Sequence, residues 1–220
     1  MNGYAFSFAD LALVALPSGA LFWPGGNTLL VSDLHLGKSE RLARRGGALL
    51  PPYETRETLT RLSDDLGRTG AKVVMALGDS FDDLAAANSL DDADQMLLTR
   101  LMAGRSWTWI EGNHDAGSHA FGGTHRAEAP LGVATCRHIA SSETPEISGH
   151  YHPKARISGT ARSCFLVDAQ RIIMPAYGAY TGGLWTDHPS LAALMQPGAL
   201  AILTGTRATP CPMPRQAPAR

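Results

Sequence analysis

The sequence predicts an α/β domain with stacked β-sheets. Three observations carry that expectation. Short apolar runs end in glycine and polar residues, helix-patterned stretches separate those runs in the first half, and the second half is rich in strand-like segments. The polar residues fall at strand ends, where open α/β folds place their ligands.

Taken in order, residues 4–31 read as short strands with turns at Pro17-Ser18-Gly19 and Pro24-Gly25-Gly26. The last of them, Thr28-Leu29-Leu30-Val31, delivers Ser32-Asp33-Leu34-His35-Leu36-Gly37-Lys38 to a loop. A basic segment follows, Lys38, Arg41, Arg44 and Arg45, closed by Gly46-Gly47 and Pro51-Pro52. Leu59, Leu62 and Leu66, three to four residues apart, predict a helix over 53–68. Lys72 to Leu77 is a buried strand ending in Gly78-Asp79. The spacing of Leu97, Leu98 and Leu101 predicts a helix over 91–103, opening at Asp91 or Asp92. Trp107 to Glu111 is a further strand, ending in Gly112-Asn113-His114-Asp115. Residues 116–130, rich in Gly, His and Ala, read as loop. Strand-like pieces lead to Cys136-Arg137-His138 and to Glu146 through Pro153, and more strands fill 155–204. Residues 205–220 hold four prolines and little apolar content, and predict a disordered tail behind a single domain over 1–204.

Composition bounds the function. A chain of 220 residues with 44 % hydrophobic and 18 % charged content suits a soluble globular protein with a full core. Its net charge of −1 gives no global field toward nucleic acid or an anionic membrane. Binding to a polyanion must then come from a local patch or from bound metal. Three cysteines (Cys136, Cys164, Cys211) argue against a disulfide framework and fit a reducing compartment. The N-terminus does not read as a signal peptide, and no run approaches the roughly 18 apolar residues of a membrane span. The expected location is the cytoplasm, with no membrane partner.

The candidate chemistry sits on the strand tips. Successive strand side chains point to opposite faces, so Asp33 and His35 point the same way. Asp-x-His alone is common; its weight comes from Asp79, from Asn113 and His114, and from His150 and His152, with His138 beside them. Gly78, Gly112 and Gly149 precede these residues and allow a close backbone approach to a shared centre. Leaving His114 aside, the seven donors exceed what one cation takes, whereas two cations about 3.5–4 Å apart, bridged by a carboxylate such as Asp79, absorb them. Two divalent ions outweigh the charge of Asp33 and Asp79, so the centre would attract a phosphate ester and lower the pKa of bound water.

Asp-x-His, Gly-Asp-x-x-Asp, Gly-Asn-His-Asp, a lone His and Gly-His-x-His, in this order, resemble the calcineurin-like binuclear metallophosphoesterases. Within them, the run Asp33 to Lys38, the arginines after it, Gly149 to Pro153, and Pro175 through Gly183 look like the bacterial ligase-associated DNA damage response endonucleases, the PdeM group. The similarity spans about Leu11 to Thr204. It implies a four-layer αββα sandwich, two stacked mixed sheets flanked by helices. It also implies that Asp33, His35, Asp79 and His152 hold one metal, and that Asp79, Asn113, His138 and His150 hold a second, both most often Mn²⁺. His114 would then protonate the leaving oxygen. The group is described as DNA endonucleases tied to repair operons, which implies DNA as substrate, a ligase-associated helicase, exonuclease and ligase as partners, and a homodimer.

One position departs from the pattern. The nuclease branch often has His three residues after the bridging Asp, where this chain has Asp82; in phosphatase branches such an Asp pairs with the catalytic His. An Asp82–His114 pair would orient the ring and raise its pKa. It keeps open a phosphomonoesterase, or a phosphodiesterase of small or cyclic nucleotides, and a non-catalytic metal-bearing scaffold is a more remote alternative. His125 competes with His138 for the seventh ligand. His119, His125 and His188 otherwise read as surface histidines. Asp83 and Asp115 read as supporting or solvated carboxylates, Asp115 with the option of bracing a ligand or His114. Lys38, Arg41, Arg44 and Arg45 are either a solvated face or contacts to DNA phosphates. Tyr177, Tyr180 and Trp185 read as core or dimer contacts.

Overall fold

Alternation along the strands decides how the layers stack. In the strand Thr28–Val31, Leu29 and Val31 join one apolar cluster while Leu30 joins another, so both faces are covered. The computed structural model describes residues 2–44, 46, 53–117, 119–157 and 159–215, and among them two sheets and five α-helices are formed.

The first sheet has seven strands in chain order: β1 (Tyr4–Phe8), β2 (Leu11–Ala15), β3 (Leu21–Trp23), β4 (Thr28–Val31), β5 (Val73–Leu77), β6 (Ser106–Ile110) and β7 (Thr124–Arg126). β1 to β4 pair antiparallel, and β4 to β7 pair parallel. Parallel neighbours need a crossover. Helices α1 (Lys38–Arg44) and α2 (Glu54–Thr69) supply it before β5, and α3 (Leu84–Ser89) and α4 (Asp92–Met102) supply it before β6. Asp91 is the residue that caps α4, accepting from the Asp94 N–H.

The second sheet runs in the order β15-β14-β12-β13-β10-β9-β8, with β11 paired to β12. Its strands are β8 (Glu128–Leu131), β9 (Ala134–Arg137), β10 (Glu146–Ser148), β11 (Lys154–Ile157), β12 (Thr160–Val167), β13 (Arg171–Ile173), β14 (Leu200–Leu203) and β15 (Thr209–Pro212), with α5 (Pro189–Leu194) before β14.

Three apolar layers hold these elements together. Leu29, Val31, Val74 and Ala76 meet Leu59, Leu62 and Leu66 of α2 and Leu98 and Leu101 of α4. Leu13, Leu30, Met75 and Ile110 of the first sheet meet Cys136, Ile147, Phe165 and Ile172 of the second. Cys164, Leu166, Ile173 and Ala201 meet Leu191 and Met195 around α5. The result is the predicted α/β sandwich of two stacked mixed sheets, with helices on both outer faces.

Two expectations are corrected. Residues 116–130 contain β7 and β8 rather than loop alone. Residues 209–212 form β15, paired antiparallel with β14, so the disordered tail does not begin at 205. No described helix is long and apolar enough to cross a membrane.

Candidate metal centre

Because β4, β5 and β6 run parallel, their C-terminal ends share one edge of the first sheet; β9 and β10, also parallel, end together in the second. Asp33 and His35 follow β4, Asp79 follows β5, Asn113 and His114 follow β6, His138 follows β9, and His150 and His152 follow β10. Main-chain hydrogen bonds zip the first two loops together: the Asp33 N–H donates to the Gly78 carbonyl (3.1 Å) and the His35 N–H to the Asp79 carbonyl (2.9 Å).

Five of the seven predicted ligands have left-handed backbone. Asp33 (φ 54°), His35 (47°), Asp79 (46°), His150 (69°) and His152 (45°) all take it. Each such non-glycine residue costs about 1–3 kcal/mol and persists only where its surroundings enforce it. The glycines before them are needed for space. A Cβ on Gly149 would overlap Ser32 Oγ and reach the Asp33 carboxylate, and one on Gly78 would overlap the His138 ring.

The donor atoms converge in three groups, within each of which they lie no more than 4.8 Å apart: Asp33, His35 and His152; Asp79, His138 and His150; and His35, Asp82 and His114. In the first, His152 Nε2 stands 3.1 Å from Asp33 Oδ1. In the second, His138 Nε2 stands 3.2 Å from His150 Nδ1 and 3.4 Å from Asp79 Oδ2, and Asn113 Oδ1 joins it at 2.9 Å. Donors each about 2.1 Å from one cation and at right angles to each other stand about 3 Å apart. His35 Nε2 is moreover buried without a hydrogen-bonding partner, and the buried Asp33 Oδ1 and His152 Nε2 meet each other outside hydrogen-bond geometry. Such orphaned donors are expensive unless something coordinates them. Mixed carboxylate, imidazole and amide donors in this arrangement fit first-row divalent cations.

Electrostatics agree. Burial alone would raise the Asp79 carboxyl, but His138 and the His114 N–H outweigh it and hold it at about 2. Burial opposes charge on His138, but Asp79 and Asp33 beside it bring its pKa up to about 9. Asp33 is likewise lowered: burial works to raise it, and His152, His138 and the Ser32 hydroxyl prevail. The raised His138 thus offsets part of the carboxylate charge of Asp33 and Asp79 in the protein alone.

Supporting contacts fix the donors. His138 Nδ1 faces the Leu77 carbonyl at 2.9 Å, so that nitrogen carries a proton and Nε2 turns to the cluster. Ser32 Oγ donates to Asp33 Oδ2 (2.5 Å), and so does the His150 N–H (3.0 Å). The Asp115 carboxylate accepts the N–H groups of Asp79 (3.1 Å), Ser80 (2.7 Å), Phe81 (3.1 Å) and Gly112 (3.1 Å). It braces the Asp79 loop rather than His114. Two supports escaped sequence reasoning: the N–H groups of Tyr177 and Gly178 donate to the carbonyls of Ser32 (2.8 Å) and Asp33 (3.0 Å).

His114 overlooks the cluster. Its N–H donates to Asp79 Oδ1 (2.9 Å), its Nε2 lies 3.9 Å from Asp79 Oδ2, and one third of its side chain is exposed. Its Nδ1 meets the main-chain carbonyl of Asp82 at 2.9 Å. This corrects the expected Asp82–His114 carboxylate pair. The Asp82 carboxylate is instead 2.9 Å from His35 Nδ1, hydrogen-bonded to Arg41 Nε, and 4.0 Å from Lys38 Nζ. Arg44 pairs with Asp83 (2.9 Å) and reaches Ser89 Oγ (3.2 Å). The basic segment is α1, tied down by two aspartates; the Arg45 expectation lies outside the described residues.

His125 does not join any group of converging donors. Its ring lies 4.4 Å from that of His119, which packs edge-on against Phe81 (4.7 Å) and Trp109 (4.8 Å). His119 is therefore part of an aromatic cluster rather than an ordinary surface histidine. Tyr177 is fully buried, whereas Tyr180 and Trp185 are exposed.

Fold and site define a two-sheet α/β sandwich with carboxylate, amide and imidazole donors gathered at one sheet edge. The crystal structure of the Pseudomonas putida nuclease MPE is similar to it, with a TM-score of 0.75 and 25 % identity over 95 % of this chain and 100 % of that one. No family model matches the chain, and no curated protein does.

Proposed function

We propose that this chain is a metal-dependent phosphodiesterase that cuts DNA as an endonuclease. The observation that carries the reading is the convergence of seven donors, three of them with a buried atom that makes no hydrogen bond, at the sheet edge. The similarity to a nuclease over nearly the whole chain, and the motif resemblance to binuclear metallophosphoesterases, support it.

In this reading Asp33, His35, Asp79 and His152 hold one cation, and Asp79, Asn113, His138 and His150 hold the other, Mn²⁺ being our choice for both. Divalent cations there supply Lewis-acid activation of the phosphate ester and of the attacking water. The chain's own residues do the rest. Asp79 presents one oxygen to the cluster while its other oxygen anchors the His114 N–H. The Asp82 carbonyl keeps the proton on His114 Nδ1, so the second ring nitrogen faces the centre. Protonated there, it donates to the leaving alkoxide oxygen. Asp82 holds His35 and Arg41 through its carboxylate, and its main-chain carbonyl rather than its carboxylate meets the His114 ring.

The test is nicking of supercoiled plasmid by pure protein with Mn²⁺. Cleavage that disappears in His114→Ala, with unchanged circular dichroism, is the expected result. Intact plasmid beside rapid hydrolysis of p-nitrophenyl phosphate would overturn the diester reading and favour a monoesterase. Metal uptake without hydrolysis of either ester would leave the scaffold alternative.

A further inference from the structure

Away from the cluster, α2 and two turns enclose a cavity of about 420 Å³ lined by Asn2, Pro17, Ser18, Arg61, Arg68 and Thr206, among others. Its size is that of a small-ligand site. Arg61 and Arg68 are among its lining residues and no acidic residue is. Arg61 is the unusual member. Its Nε and Nη2 are buried and have no hydrogen-bonding acceptor, and no ion pair involves it among the described residues. Its guanidinium lies over the Tyr177 ring, 4.9 Å from the centroid. The nearby Asp65 does not neutralise it: that carboxylate binds Arg68 and accepts the Tyr177 hydroxyl at 2.8 Å. A buried donor fork without an acceptor is costly and matches the planar geometry of a phosphate.

The cavity also has a meaningful position. Leu21 of β3 pairs with Leu30 of β4 in antiparallel register, so the β2–β3 turn holding Pro17 and Ser18 stands at the end of the sheet that carries Asp33. Leu203 of β14 pairs with Cys164 of β12, which places the turn holding Gly205 and Thr206 at the same end of the second sheet. The two turns touch, the Gly205 N–H donating to the Pro17 carbonyl at 2.9 Å. Tyr177, which carries Arg61 on its ring, donates its own N–H to Ser32 beside Asp33. The β2–β3 turn lies two strand spacings or less from the Asp33 loop, on the order of 10 Å.

We propose that this cavity is a second anion site, in which Arg61 takes a phosphate group. The phosphate comes either from the strand being cut, beyond the scissile position, or from free phosphate or a mononucleotide. The strand source rests on the nuclease reading given above; the site itself does not.

Calorimetric titration of chelator-treated protein with orthophosphate tests the site while the metal centre is empty. Saturable binding in the wild type, weakened at least tenfold in Arg61→Gln and unchanged in Arg100→Gln, is expected. Arg61→Lys, which keeps a cation over Tyr177 and lacks the fork, guards against misfolding; it should melt like the wild type and still bind phosphate more weakly. Equal phosphate binding by the wild type and both Arg61 variants, or none by the wild type, overturns the proposal. Cleavage kinetics with Mn²⁺ then name the source. A raised KM for an oligonucleotide in Arg61→Gln, with an unchanged rate on bis-p-nitrophenyl phosphate and a salt slope lower by about one, assigns a strand phosphate. Unchanged oligonucleotide kinetics assigns the free anion. If no oligonucleotide is cut at all, the nuclease reading fails and the titration still decides the site.

Discussion

His138 and His119 are the same side chain in one sandwich, and their surroundings push their protons in opposite directions. Carboxylates of Asp79 and Asp33 face His138, and its pKa rises to about 9 against its burial. Aromatic rings and His125 face His119; burial first and His125 second bring its pKa down to about 4. The backbones differ as well. Around His138 the chain holds five non-glycine residues in left-handed conformation, whereas among the described residues flanking His119 and His125 only glycines, Gly117 and Gly123, take positive φ. Imidazoles become a cation-binding set when carboxylates are aimed at them by strained loops. Without those carboxylates, the same rings are packing material.

The largest break in this comparison comes from the reacting end. Replacing His114 with Ala should lower Mn²⁺-dependent DNA cleavage by about 10²–10⁴-fold, the range for losing a general acid. Replacing His125 with Phe, in the aromatic group, should leave the rate within about twofold. Initial rates on plasmid check both. A similar loss in the two variants would place chemistry in the aromatic group and undo the distinction.

Glycine sharpens it next. Gly149→Ala forces a methyl group onto Ser32 Oγ and toward the Asp33 carboxylate. The expected outcome is a loss of about 1–3 kcal/mol in stability and about 10–100-fold in metal affinity, because the groups orienting Asp33 must move. Gly122, whose carbonyl accepts from Trp109 Nε1 beside the aromatic group, has open space at its Cβ position. Gly122→Ala should change neither quantity, as read by urea denaturation and by Mn²⁺ titration.

These contrasts also show what could be read without coordinates. The convergence of these side chains was legible because each candidate donor follows an apolar run, and in three cases follows glycine, so a local pattern carried tertiary information. The Asp82 carboxylate was not. Whether a side chain three residues past Asp79 turns to His114 or to His35 depends on Arg41 of α1, which waits on the other side of it. Proline hid β15, since Pro210 and Pro212 argue against a strand; both are tolerated because β15 is an edge strand. β7 and β8 were masked by their shortness and by the Gly-rich chain before them. The left-handed backbone of Asp33, His35 and Asp79 leaves no mark in residue type, because Asp and His take that conformation more readily than most side chains.

The pH dependence of the metal-free protein should carry both signatures. For His138 the folded pKa lies above the unfolded value of about 6.5, so its contribution is complete below that value and is lost as pH rises through about 9. For His119 the folded pKa lies below it, so its contribution is complete above about pH 6.5 and is lost as pH falls toward about 4. Melting temperatures in chelator should fall on both sides of neutrality. His119→Phe should remove part of the acid limb only. Mn²⁺ should remove the alkaline limb, because cation binding expels the His138 proton and its affinity climbs with pH up to about 9.

The smallest expected effect separates two arginines that the sequence treats alike. Arg41 and Arg44 both lie on α1, but Arg41 binds Asp82, fully buried beside His35, while Arg44 pairs with the more exposed Asp83. Removing Arg41 leaves the Asp82 charge to His35 and Lys38 and loosens His35, so Arg41→Ala should slow DNA and a small diester alike. Arg44→Ala removes an exposed pair worth about 0.2–1 kcal/mol. Its rate on bis-p-nitrophenyl phosphate should not change, and any loss should appear only on DNA and shrink as salt rises. Equal loss on both substrates for Arg44→Ala would mean that α1 supports the cluster along its whole length and offers nothing to the strand.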